Sequence, residues 1–360
     1  MPVQCAGMTT PDLRLPAEWE PQSGVMLTWP HANSDWNESL SAVESSFFRI
    51  AIEIARREML LVNCCDAPMA NRIHTRLCEQ GVPQQNLVTA IAPSDDSWAR
   101  DHGPLTRLHK GDPELMDFVF NGWGHKYPAD QDNAITRRLA RCGVFGNTPV
   151  RSVNLVLEGG SIDSDGTGSL LTTRRCLLDP QRNPGLDSEA IEKHLRDLLG
   201  IERVLWLENG ELEGDDTNGH IDMLARFVSP EHIVYQQCTE PDYPGYAALQ
   251  AMEAELRALR CASGKPYQLS ALPWPSPKYK DNGERLPASY ANFLVINGAL
   301  LQPAYEDSQD DVAATQLQAC FPDRDIIQLP CLPLIQQFGS LHCVTLQFPS
   351  AVEFRHPNPG

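Results

Sequence analysis

The sequence predicts an α/β protein in which five hairpin–helix–strand units close into a ring. Two observations carry that expectation. The same order of elements recurs along the 360 residues, and one unit is split, its missing strand lying at the far end of the chain. A closed ring also leaves few exposed sheet edges.

Four hairpins read as alternating apolar runs around a polar turn. "RDHGPLTRLHKGDPELMDFVF" turns at Lys110-Gly111-Asp112, and "EGGSIDSDGTGSLLTT" at Asp165-Gly166-Thr167-Gly168. "NGHIDMLARFVSPEHIVYQQ" turns at Ser229-Pro230, and "SYANFLVINGALLQPAY" at the hairpin dipeptide Asn297-Gly298. Each is followed by a helical pattern, at 132–142, 187–200, 246–260 and 310–321. In the second of these Asp187 is placed to cap the helix and Gly200 to end it. A short apolar strand closes each unit: "VNLVL", "RVLWL", "YQLSAL" and "DIIQL". The N-terminal part supplies a further helix, "LSAVESSFFRIAIEIARRE", and its strand "MLLVNC", but only half a hairpin, "GVMLTWP" at 24–30. "GSLHCVTLQFP" (339–349) is the strand left to complete it. No shift in composition marks a boundary, so residues 1–360 are expected to form a single catalytic domain. The Pro-rich stretch 271–287 reads as a loop over one face, where ligand contacts are usual.

Composition narrows the function. Forty-seven acids against 29 bases give a net charge of −18, which repels nucleic acid and anionic membrane and favours cationic ligands. No apolar run is long enough for a transmembrane helix, and no signal pattern opens the chain, which favours the cytoplasm. The eleven cysteines lack framework spacing and read as free thiols. The acidity permits a monomer or a homo-oligomer alike.

Equivalent strand starts in a ring converge at one end of its axis. Those positions hold Asp101 in "WARD", Glu158 in "LEGG", His220 and Asp222 in "NGHID", and Cys343 in "GSLHC". Taken singly, each has an ordinary structural role: acids accept turn N–H bonds, and a lone Cys is a small buried hydrophobe. The set is what points to chemistry. His220 and Asp222 would share a face of a strand. Carboxylates gathered around a thiol suit a cationic, forked substrate, and a guanidinium fits that description. Asp101 and Asp222 would grip its nitrogens, Cys343 attack its carbon, His220 move protons, and Glu158 hold His220. A zinc site using His220, Asp222 and Cys343 is the alternative from another class, although no CxxC or HExxH spacing supports it. A non-catalytic binder of polyamine-like cations is a third.

The chain resembles agmatine deiminases and bacterial-type peptidyl-arginine deiminases of the guanidino-group-modifying superfamily. The motifs run almost end to end: "PAEWEPQSGVMLTWP", "WARDHGP", "FNGWGHKYPADQDN", "LEGGSIDSDGTGSLLTT", "DDTNGHID", "ASYANFLVING" and "HCVTLQFP". The resemblance implies a five-bladed α/β propeller and a cofactor-free, metal-free hydrolase acting on a small guanidino substrate. It places the nucleophile on Cys343, the acid/base on His220, and the gripping carboxylates on Asp101 and Asp222. Glu158 is the remaining polar member, and Trp98 and Trp123 are walls of the substrate channel. An agmatine-type site needs a second anionic end, for which Asp215 and Asp216 in "EGDDTNGH" are placed. The resemblance leaves peptidyl-arginine as the alternative substrate, and amidino transfer as a more distant reaction. Two departures stand out: Asp-Asp at 215–216, where agmatine deiminases often carry Asp-Glu, and "QFGSLHC" in place of a glycine run before the nucleophile.

Overall fold

The computed structural model describes residues 12–357. Its strands form five principal sheets and one small two-stranded ribbon. Every principal sheet contains the same motif: a strand, an antiparallel partner, and a third strand parallel to the second. Parallel neighbours cannot be joined by a tight turn. In each unit a helix makes the crossover: Ile135–Arg141, Ser188–Leu199, Tyr246–Ala258, Asp310–Cys320 and Leu40–Ala55.

Local chemistry explains why these segments fold as they do. In the helix Ser188–Leu199, the Asp187 side chain accepts from Ala190 N at 2.9 Å. Ile191, Leu195 and Leu199 then fall four residues apart on one buried face. Gly200 ends the helix with φ +70°, a conformation that disfavours any residue with a Cβ. The parallel strand Met59–Cys64 is apolar from Met59 to Val62 and buried from Leu60 onward, because both its faces are covered.

The split unit is joined from both ends of the chain. Thr345–Pro349 runs antiparallel to Gln22–Thr28, with Thr345 opposite Leu27 and Leu346 opposite Met26. Gln22–Thr28 is not the first ordered strand, however. Leu13–Arg14 precedes it and pairs with Leu108 and His109 of the neighbouring unit. The helix Ala67–Glu79 and the strand Leu87–Ile91 extend the split unit by one crossover outside the repeat. Asp66, which caps Ala67–Glu79 by accepting from Met69 N, and Pro68 in its first turn were its signals in the sequence.

The reactive residues do not sit on strands. Each lies in a short turn leading into the first strand of its unit. Asp101 is within the turn Ala99–His102, and Glu158 precedes the turn Gly159–Ser161. His220 precedes the turn Ile221–Met223, and Asp222 lies inside it. His220 and Asp222 therefore converge through a tight turn and not through the period-two alternation of a strand. The turns are stitched to one another: Arg100 N donates to Cys343 O at 3.1 Å, Gly160 N to Asp101 Oδ1 at 3.0 Å, and Thr173 Oγ1 to Gly219 O at 2.7 Å.

Replacing Gly200 by alanine is expected to destabilise the protein. The left-handed backbone alone costs about 1–2 kcal/mol for a residue with a Cβ, and the added carbon would run into the carbonyl of Leu13. Urea denaturation should show a lower midpoint at unchanged slope.

Candidate active site

The turns converge on a pocket with about 490 Å³ of empty space. Asp101, His220, Asp222 and Cys343 line it, together with Trp98, Trp123, Asp215 and Asp216. Eight of the nine residues expected from the sequence are thus brought to one cavity. The ninth, Glu158, is fully buried behind His220.

Cys343 is 7% exposed. Its Sγ lies 3.3 Å from Asn292 Nδ2 and 3.9 Å from Asp222 Oδ2. Burial, and then the charges of Asp222 and Asp101, push the thiol well above its ordinary range. Asp101 is held by two donors, Trp123 Nε1 and Gly160 N, each at 3.0 Å. Burial raises its carboxyl to about 6 even though His220 opposes the shift. Asp222 behaves differently. Burial works to raise it, but the hydrogen bond and charge of His342 prevail and hold it below the usual range. Its Oδ2 is 2.7 Å from His342 Nδ1, while Oδ1 has no partner among the described residues. A buried acceptor left open beside a thiol is a place for a substrate donor.

His220 stands between two carboxylates, with Nδ1 3.7 Å from Asp101 Oδ1 and Nε2 3.8 Å from Glu158 Oε2. Burial opposes its protonation, yet the anions around it, Asp101 foremost, raise it well above a free imidazole. Glu158 is fixed in turn by Arg182, whose Nε lies 2.9 Å from both of its oxygens. Burial would raise Glu158, but His220 and Arg182 outweigh it and keep the group ionised. The centre of this arrangement has no spare room. A Cβ on Gly160 would lie 2.6 Å from His220 Nδ1, 2.9 Å from Asp101 Oδ1 and 3.0 Å from Asp222 Oδ2, so only glycine fits there.

The walls are aromatic. Trp98 donates from Nε1 to Asp96 Oδ2 at 2.9 Å. Trp123 is held with φ +55° in a run of positive φ from Gly122 to His125. That backbone is strained for tryptophan by about 1–2 kcal/mol, and it delivers the indole N–H to Asp101. The Trp123 ring belongs to the main hydrophobic core and also lines the pocket. Phe338 also has a positive φ, +67°, and lines the pocket. The Pro-rich stretch reaches this wall, with Lys280 Nζ 3.5 Å from the centre of the Phe338 ring.

The less buried acids of the lining are Asp35, Asp96, Asp215 and Asp216, and no lysine or arginine among the described residues lines the pocket. Asp215 and Asp216 differ in their availability. Both oxygens of Asp215 are occupied, by the N–H and hydroxyl of Thr217 and by Gly219 N, so it shapes the loop that carries His220. Asp216 accepts from Tyr127 OH at 2.8 Å. Asp96 is raised by burial to about 7. Arg100 and Arg175, conceivable partners for a substrate carboxylate, point elsewhere. Arg100 meets Gln347 and Glu18, and Arg175 pairs with Glu211.

His220, Asp222 and Cys343 do not form the metal-like cluster of the alternative reading. The three residues whose ligand atoms fall within 4.8 Å of one another among the described residues are Glu158, Cys176 and His220. The Arg182 guanidinium already occupies Glu158, and its charge opposes a second cation there.

Sequence reasoning passed over Asn292, His342 and Asp96. Asn292 had a findable signal, since it occupies the strand-entry position of the remaining unit in "SYANFLVING".

An α/β fold with a buried thiol, an imidazole and paired carboxylates in one pocket defines the class, and comparison with known proteins gives the family. The family model for Porphyromonas-type peptidyl-arginine deiminase matches residues 14–349, and the chain belongs to that family. The agmatine deiminase of Pseudomonas aeruginosa (strain LESB58) is 33% identical over 360 residues, covering 94% of this chain and 95% of that relative. A solved structure from Porphyromonas gingivalis, provisionally assigned as an arginine deiminase, superposes with a TM-score of 0.88 at 46% identity over 95% of this chain and 100% of that one. The substrate-bound agmatine deiminase of C. jejuni gives a TM-score of 0.85 at 31% identity, covering 99% and 100%.

In the ligand-free protein, the rate of Cys343 alkylation by iodoacetamide, followed on its own peptide by mass spectrometry, should keep rising with pH beyond about 9. An ordinary thiol levels off above its value near 8.5.

Proposed function

We propose that the protein is a hydrolase that deiminates a guanidinium group, with agmatine as substrate and N-carbamoylputrescine and ammonia as products. The observation that carries this reading is the pocket lining. Its most buried part holds a thiol and two carboxylates, Cys343, Asp101 and Asp222, its less buried part holds Asp35, Asp96, Asp215 and Asp216, aromatic rings complete the lining, and no lysine or arginine among the described residues lines it. A guanidinium in the first part and an amine in the second match that distribution. The agmatine deiminases among its relatives support the same chemistry.

Asp101 and the open Oδ1 of Asp222 receive N–H groups of the guanidinium and orient its carbon toward Cys343. Cys343 gives up its proton to solvent as the cation enters, to be taken up in the end by the released ammonia, and the thiolate attacks to form a tetrahedral adduct. His220 donates a proton to the departing ammonia, leaving an S-alkylthiouronium. The same imidazole then takes a proton from the water that attacks this intermediate; collapse of the second adduct releases the urea-type product and restores the thiol. Glu158, fixed by Arg182, keeps His220 in place.

The reading extends to the architecture. The five units are blades of an α/β propeller closed by the pairing of Thr345–Pro349 with Gln22–Thr28, and the whole chain is one catalytic domain working in the cytoplasm on a small cation. No helix among the described residues is long and apolar enough to cross a membrane.

Peptidyl-arginine is the second reading, favoured by the family model. Its neutral far end needs no acids. Free arginine is disfavoured, because its carboxylate would face Asp35, Asp96 and Asp216, and the neighbouring ammonium, Lys126 Nζ, is already engaged by Asp216 O and Asn218 Oδ1.

Ammonia release should be measured from agmatine, free arginine and a blocked peptidyl-arginine, with Cys343→Ala alongside. Agmatine should be turned over best, and the variant should lose at least about 10³-fold. Turnover of the peptide alone would replace the substrate but keep the mechanism. Below its value of about 6, Asp101 is protonated and cannot grip a cation, so kcat/KM should fall on the acid side near that pH. The acid limb of kcat should lie lower, because bound substrate favours the carboxylate.

A further inference from the structure

A line of buried charged groups leads away from the pocket through Asp222. His342, adjacent to Cys343, has Nδ1 2.7 Å from Asp222 Oδ2 and Nε2 2.7 Å from Glu18 Oε2. Glu18 Oε2 also accepts from Arg226 at 2.7 Å, and Glu18 Oε1 accepts from Val295 N at 2.8 Å. Arg226 continues to Asp163 at 3.0 Å and to Phe293 O at 3.0 Å. Exposure is 1% at Asp222, 2% at His342, 7% at Glu18 and 1% at Arg226. These residues come from the N-terminal segment, from the unit holding Asp222, and from the chain's last turn.

The His342 ring thus has a carboxylate oxygen within hydrogen-bond distance at each of its two nitrogens. The ring therefore has one orientation, fixed at the far side by Glu18, which Arg226 and Val295 hold, and at the near side by Asp222. Its backbone N–H is fixed as well, donating to Asn292 Oδ1 at 2.8 Å. With Oδ2 engaged, Asp222 can turn only Oδ1, the unpartnered oxygen, toward a substrate.

We propose that His342, braced by Glu18 and Arg226, is a positioning residue that sets the rotamer of Asp222 and thereby the orientation in which the guanidinium is presented to Cys343. The proposal rests on the guanidino-hydrolase reading above. It assigns His342 no contact with substrate and no proton transfer. The dependence on pH follows from the same contacts. Asp222 faces His342 on one side, and His220, Asp101 and Cys343 across the pocket, with Arg226 further behind. His342 supplies the hydrogen bond that most favours the ionised carboxylate, so removing it moves the loss of that carboxylate to higher pH.

Two substitutions separate positioning from support of the fold. In His342→Asn the amide nitrogen takes the place of Nδ1, so the bond to Asp222 is kept and the link to Glu18 is lost. In His342→Gln the amide reaches Glu18 instead, and Asp222 is released. Steady-state kinetics on agmatine across pH, thermal midpoints, and calorimetric binding of agmatine in a Cys343→Ala background would be measured for the intact chain and both variants. His342→Gln should lower kcat at least about tenfold and change KM less. His342→Asn should stay within about threefold of the parent with its acid limb in place. Equal losses in both variants that follow the thermal midpoints, or a His342→Gln loss that falls in KM and agmatine binding and spares kcat, would overturn the proposal while leaving the hydrolase reading intact. A parent protein that neither binds nor turns over agmatine, arginine or a peptidyl-arginine would overturn both.

Discussion

Burying Asp101 and Asp222 beside the Cys343 thiol sets the terms for everything around them. Three groups that each become anionic share a space nearly closed to water, and such an arrangement is unfavourable unless cations complete it. The protein supplies some of that compensation from behind. His342 and Arg226 stand on the Asp222 side, and Arg182 and His220 on the Glu158 side. It leaves the centre uncompensated. The high thiol and the raised Asp101 carboxyl are two signs of the same deficit, and a guanidinium is the planar, many-donor cation that removes it.

Rigidity follows from that electrostatic demand. Small displacements of carboxylates around a thiol would change which of them holds a proton, so each is fixed by its own donors. Asp101 has an indole and a backbone N–H, Glu158 a guanidinium, and Asp222 an imidazole. The backbone is strained where this placement requires it, most visibly at Trp123 and Phe338, both with positive φ at the pocket wall. Strain of this kind persists only where packing over-determines it; Trp123 is edge-on to Phe120 at 5.0 Å and to Tyr127 at 5.6 Å.

Much of this was legible in the sequence because the repeat works at the level of elements. Hairpin turns, the Asp187 and Gly200 caps and the orphan strand at 339–349 each left local signals, and the pairing of the chain's two ends is where those signals placed it. The candidate site residues stood out because they occur just before equivalent strands. Their backbone was misjudged, since a single turn of helix entering a strand has too few residues to show a period, and His220 and Asp222 consequently read as strand residues. The helix Ala67–Glu79 was missed because it stands outside the repeat, although its capping residues were present. His342 and Glu18 were not legible for a different reason. They are 324 residues apart, and the one imidazole that joins Glu18 to Asp222 becomes a link only when the chain's ends meet.

The central claim is that a cation completes this buried anionic site, and proton linkage tests it directly. Agmatine would be titrated into the Cys343→Ala variant by calorimetry, in buffers of different ionisation enthalpy, at pH 6 and pH 8. Asp101 at about 6 and Asp96 at about 7 hold protons in the empty site that a bound cation displaces. The account predicts net proton release near pH 6 that falls close to zero at pH 8. Tight binding with no proton release at either pH would show that the carboxylates are already ionised in the empty pocket, and would contradict it.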